Sequence, residues 1–173
     1  MVVAQTNTYG IDKQLKRVQD YFDEKFASVW DGTIIIYGRA IETTENDAKR
    51  LEVYTDKNDY QRLTINDRIS GSIVFKVNDR LIDENRLKAG IDVIFMVNVK
   101  DVEGTGVYMD EKALMNAYKI VSNCGLLENV TDIKVGIDAV FSGYDTEGIE
   151  HRDMSPFHVF SFTTQLEYFE NLC

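Results

Sequence analysis

Residues 91–102 read IDVIFMVNVKDV. In an extended chain successive side chains point to opposite sides, so Ile91, Val93, Phe95 and Val97 share one face while Ile94 and Met96 share the other. β-branched and aromatic residues dominate, which predicts a strand, and the apolar residues on both faces near its middle predict a central strand covered on two sides. Residues 91–99 are the longest apolar run, and Asp92 and Asn98 interrupt it. It falls well short of the ~20 apolar residues a membrane-spanning helix needs.

Downstream of this strand, Gly104 and Gly106 predict a sharp turn. Asp110 then stands as the N-cap of a helix whose apolar stripe is Leu114, Ala117, Tyr118, Val121 and Cys124. Gly125 fits a left-handed stop. Residues 133–142 read as a strand and 143–156 as a polar loop. Residues 157–168, FHVFSFTTQLEY, alternate again: His158, Phe160, Phe162, Thr164, Leu166 and Tyr168 make one oily face, with Val159, Ser161, Thr163, Gln165 and Glu167 between them.

Upstream, residues 79–90 (DRLIDENRLKAG) are charged and read as a loop or one helical turn. Residues 60–65 and 69–77 alternate as strands, DKND at 56–59 signals a turn, and 50–55 is a short strand. Residues 42–49 (ETTENDAK) read as a loop, and 33–41 (TIIIYGRAI) as a strand. Ile11, Leu15, Val18, Phe22, Phe26 and Val29 recur in steps of three and four, predicting an amphipathic helix over 11–30 that Asp31-Gly32 stops. Residues 1–10 are small and polar and read as a flexible arm.

Helices and strands do not alternate regularly, so a doubly wound parallel sheet is not expected. The fold class expected is α+β: a mainly antiparallel sheet with two amphipathic helices packed on one face. One domain over residues 1–173 is expected, with 42–59 as a protruding loop or hairpin.

A chain of 173 residues, 44% hydrophobic and 28% charged, can bury roughly 70% of its unfolded surface without metal or disulfide. Its two cysteines, Cys124 and Cys173, form no framework, which suits a reducing compartment and leaves the sequon at Asn129 unused. The start carries no basic cluster followed by a long apolar core, so no secretory signal is expected. A formal net charge of −10 opposes nonspecific nucleic-acid binding, which depends on cations that displace the counterions of the phosphates.

Chemistry-bearing patterns are sparse. Gly104-Thr105-Gly106 is half of a dinucleotide fingerprint and reads as a turn. Glu150, His151, Asp153 and His158 lie close in sequence and could ligate a divalent ion if their loop folded back, but no helical histidine pair supports this. Asp56, Asn58 and Asp59 lack the glycine and further oxygen ligand of a calcium loop. Cys124 sits on the buried stripe of a helix, where a thiol acts as a small hydrophobe. No enzyme activity, catalytic residue, metal or cofactor is expected from these residues. Phe22, Phe26, Phe75, Phe95, Phe141, Phe160 and Phe162 fit inward faces. Tyr54, Tyr60, Tyr108, Phe157, Phe169 and Leu172 fall at turns, edges or the terminus and are the candidate intermolecular contacts.

The order of elements, with DVIFMVNVKDV before the second helix and FHVFSFTTQLEY at the end, resembles the tail-terminator and head–tail connector proteins of tailed bacteriophages, including those of crAss-like gut phages. The resemblance covers about residues 11–168 and is one of pattern, without a diagnostic motif. It implies a tail-terminator-like fold and a structural protein of the virion, made in the host bacterial cytoplasm. It also implies a homo-oligomeric neck ring of roughly six or twelve copies around the DNA channel. Its partners would be the adjacent portal, connector or tail rings; DNA would pass without specific binding, and no membrane is involved. The alternative reading is an acidic cytoplasmic binding module acting as a homodimer.

Overall fold

The computed structural model describes residues 1–4, 8–55, 59–66, 68–83, 86–147, 149 and 155–168. Its elements are β1 (Val2–Val3), α1 (Ile11–Ala27), β2 (Ile34–Glu45), β3 (Ala48–Tyr54), β4 (Tyr60–Arg62), β5 (Gly71–Asp83), β6 (Arg86–Asn98), α2 (Val99–Glu103), α3 (Met109–Ser122), β7 (Asp132–Val135), α4 (Ile137–Val140) and β8 (Phe157–Tyr168). The fold is α+β. Among the described residues eight strands join in the order β4-β3-β2-β5-β6-β8-β7, with β1 beside β2. All pairings are antiparallel except β1–β2 and β2–β5.

The central strand β6 behaves as its alternation predicts. Ile91, Val93, Phe95 and Val97 join the larger core with Ile11, Leu15, Val18, Phe22 and Phe26 of α1, with Ala113, Leu114, Ala117, Ile120 and Val121 of α3, and with Phe160, Phe162, Leu166 and Tyr168 of β8; Tyr118, expected in the α3 stripe, is instead exposed. Ile94 and Met96 join a second core with Val74, Val159, Ala40, Leu51, Val53 and the α4 residues Ile137 and Val140. The two long helices therefore cover one face, and the curled β2–β3 hairpin with α4 covers part of the other. Aromatic rings fill the first core: Phe95 stacks on Phe160 at 4.9 Å, Phe26 lies 5.7 Å from Phe95, and Phe22 lies 5.7 Å from Phe75.

A bulge in β2 lets one strand serve both cores. Ile36 is opposite Ile73, but Arg39 is opposite Phe75, so β2 spends one extra residue there. The extra residue flips the side-chain alternation. Ile34 and Ile36 face α1, and Ala40 faces the second core. Arg39 forms a two-pronged ion pair with Asp12 of α1, at 2.8 and 2.9 Å. Gln19, buried within the otherwise apolar stripe of α1, donates to the Ile36 carbonyl at 3.0 Å and the Val3 carbonyl at 3.1 Å. Buried carbonyls need such partners.

Several expectations are corrected. Val29 lies past the end of α1 and is exposed, while Trp30 takes the buried place. The turn at Gly32 has φ +82, and a Cβ there would lie 2.0 Å from Ser70 Oγ, so only glycine fits. Residues 42–49 are not a loop: β2 and β3 pair through Glu45 and Ala48 across Asn46-Asp47, whose φ values of 52 and 63 belong to a tight hairpin turn. The hairpin lies on the second core through Leu51 and Val53. Residues 79–83 and 86–90 are not a loop or helical turn but strands of the outer half of the β5–β6 hairpin, paired out to Asp83–Arg86. The strand from 91 ends at Asn98, whose side chain accepts from the Lys100 N–H at 3.2 Å and caps α2. Tyr108, not Asp110, precedes α3, in a left-handed conformation with φ 61. Asn123 ends that helix in the right-handed region, without a left-handed glycine. Residues 133–142 divide into β7 and α4. The N-terminal segment contributes β1, and the terminal ammonium meets Asp23 and the Ile34 carbonyl.

Candidate functional site: the free edges of the sheet

The sequence-derived contact residues do not gather in one place. Tyr54 and Tyr60 stand opposite each other across β3 and β4, with rings 5.7 Å apart, and line a small cleft with Asp12, Gln19 and Arg39. Phe157 begins β8 and is half-buried opposite Asn98. Tyr108 is 79% exposed. Phe169 and Leu172 lie outside the described residues, as do Glu150, His151, Asp153, Asp56 and Asn58. His158 is partly buried with its ring 5.0 Å from that of Phe160. It lines an open cleft of ≈ 580 Å³ with Lys100, Tyr108, Asp110 and Phe157. Among the described residues no three His, Cys, Asp or Glu side chains converge as a metal site. Cys124 is buried, and burial pushes its thiol pKa up, away from the reactive thiolate.

Edges tell more. A sheet edge exposes a row of unpaired N–H and C=O groups, so its side chains show whether it is closed off or left open. The β4 edge is short and tied down: Arg62 meets Asp145 at 3.0 Å. Asp145 also takes Arg50 at 2.9 Å, and the Asp145 N–H donates to the Lys49 carbonyl at 2.7 Å. The Glu147 N–H, then the Arg50 guanidinium, hold the Asp145 carboxyl below its ordinary pKa. Tyr144 donates to Glu42 at 2.7 Å, and burial, with that carboxylate beside it, pushes the phenol up. These contacts strap the β2–β3 flap to the loop after α4.

Two other edges carry exposed aliphatic residues. β7 pairs on one side with β8, and among the described residues nothing pairs on its other side. Ile133 and Val135, on the helical face of that edge, are 44% and 51% exposed. On the opposite flank, β2 accompanies β5 only as far as Lys76 and then curls away. Beyond that point β5 has, among the described residues, only β6 as partner, and Leu81 and Ile82 are 55% and 78% exposed. Sequence reasoning passed over all four residues. The alternation in DIKV at 132–135 and the RLI triplet at 80–82 were the available signals, the second hidden among charges.

At the other end of the helical layer, Glu103 shows how rigidly the fold supports this sheet. Its nearly buried carboxylate accepts from Trp30 Nε1 at 2.8 Å and Asn116 Nδ2 at 2.7 Å and pairs with Lys112 at 2.7 Å. The segment that follows α1, together with α2 and α3, is thereby joined at one point.

No family model, curated protein or solved structure matches this chain.

Proposed function

We propose that the chain is a structural protein of a tailed-phage virion, with a tail-terminator-like fold, forming a homo-oligomeric ring in the neck between head and tail. One observation carries the reading: two edges of the same sheet that have no strand partner among the described residues, each bearing exposed aliphatic side chains, lie on opposite flanks of the molecule. A contact between two different surfaces, repeated from copy to copy, closes into a ring when its rotation allows. The net charge of −10 is compatible with a wall that DNA passes without adhering.

The test has two parts. Purified protein is expected to form a closed oligomer larger than a dimer, read by light scattering and negative-stain microscopy. Phage lacking the protein are expected to give heads without attached tails, restored by supplying it in trans. A stable dimer that never grows, with normal particles in its absence, would replace this reading with the cytoplasmic binding module.

A further inference from the structure

We infer that copies of this chain join by continuing one sheet: the outer edge of β7 in one copy pairs antiparallel with the outer half of β5 in the next. The inference deepens the ring reading and rests on its self-association.

Strand direction supports the pairing. β5, β6, β8 and β7 run alternately up and down, because each neighbouring pair is antiparallel. A second copy placed on the flank with its sheet facing the same way therefore sets β7 against β5 in antiparallel sense, which is the more stable pairing. The alternation also agrees. Ile133 and Val135 share the face of Phe162 and Phe160, and Ile82 shares the face of Leu87. Joined edge to edge, these aliphatic residues meet on the helical face. Lys134 and Leu81 lie on the opposite one; Arg80, opposite Ala89 and exposed, shares the helical face with Ile82, where its aliphatic stem can lie along the strip while the guanidinium stays in water.

The two edges sit at different heights. β7 lies level with residues 92–95 of β6, whereas the free part of β5 lies beyond residue 77. The offset is about five residues, or about 17 Å at ~3.4 Å per residue. Four strands per copy span about 19 Å at ~4.8 Å per strand. A sheet continued with that stagger tilts its strands by roughly 40° from the ring axis, within the 35–45° typical of closed barrels. The remaining edges are poor alternatives: β4 is three residues long and held by the Arg62–Asp145 pair, and β1 is two residues long.

The experiment uses Val135→Lys, which disables the β7 edge, and Ile82→Lys, which disables the β5 edge, each checked for native melting. Both positions are exposed, so both variants are expected to fold. Each alone should lose the wild-type oligomer, by at least tenfold in assembly midpoint. An equimolar mixture retains one good β5 edge and one good β7 edge, and should give a 1:1 pair and nothing larger. As a second readout independent of affinity, full-length protein carrying Ile82→Cys and Ile133→Cys in a Cys173→Ser background should form a ladder of disulfide-linked copies on oxidation. Wild-type rings that persist in both lysine variants, with no ladder, overturn the edge pairing and leave the ring standing. Wild-type protein that stays monomeric or dimeric at high concentration overturns both.

Discussion

The β5–β6 hairpin has two halves that share a ladder and little else. In the inner half, Ile73, Val74 and Phe75 and residues 91–97 are buried on both faces, between the helices and the curled β2–β3 flap. In the outer half, residues 78–82 are exposed, and Leu81 and Ile82 project although they are aliphatic. Backbone pairing is continuous across the junction apart from a register shift between Val77 and Arg80. The difference lies in what covers each half. Burial stabilises the inner half, and the outer half holds its shape by being an extension of it, which leaves its surface available to another molecule.

The comparison breaks first at Phe95. Its ring touches the aromatic groups of α1 and β8 together. Phe95→Ala removes those contacts and leaves a cavity, and the expected loss is about 3–5 kcal/mol. Denaturant unfolding measures it; a loss below about 1 kcal/mol would mean that the inner half is not the stabilising part. Gln19 comes next, because it bonds the Ile36 carbonyl at the start of the bulge that turns β2 from one core to the other. Gln19→Leu is nearly isosteric but leaves the buried Ile36 carbonyl without its donor. The expected cost is about 1–3 kcal/mol, with faster amide exchange in β1 and β2 than in β6. Uniformly faster exchange would show that the bulge does not depend on Gln19.

The outer half is also where the sequence misled. The inner segments were legible because burial writes a period into them: α1, β6 and β8 show their alternation plainly, and β8 has the bounds that FHVFSFTTQLEY predicts. Residues 79–82 and most of 42–49 are solvated strand, and a strand that need not bury either face can carry charges like a loop. The tertiary partners decide their conformation, and a single chain does not display those partners. Asn98 shows a local signal missed: a side chain able to cap a helix ended the strand early. Tyr54 and Tyr60 show the converse, since aromatic residues beside a turn read as exposed until the strand pairing brings them together. Of the candidate contacts, Tyr108 alone among the described ones is widely exposed. The edge aliphatics on which the assembly proposal rests were visible as residues, but their exposure depends on where β2 and β7 end.

A finer test concerns the flap that covers the second face. The Tyr144 phenol has its pKa raised by burial and by Glu42, so the folded state holds its proton above the ordinary value near 10, where the unfolded chain releases it. The folded state then binds more protons than the unfolded, and stability falls as pH rises past about 10. Below that pH the contribution is complete. Tyr144→Phe loses the bond to Glu42, costing about 0.5–1.5 kcal/mol at neutral pH, and should flatten the alkaline decline. An unchanged decline would assign it to other groups.

The smallest expected effect concerns the outer half itself. Leu81→Ser replaces an aliphatic side chain already 55% exposed and touching neither core. Substitutions at such sites usually change stability by less than about 0.5 kcal/mol. That near-zero value is informative because leucine is not the residue that solubility alone would place on a projecting strand. If the free chain melts as wild type while its oligomer weakens, the residue serves contact between copies. If the free chain is destabilised by 1 kcal/mol or more, Leu81 packs within its own molecule, and the contrast between the two halves of the hairpin disappears.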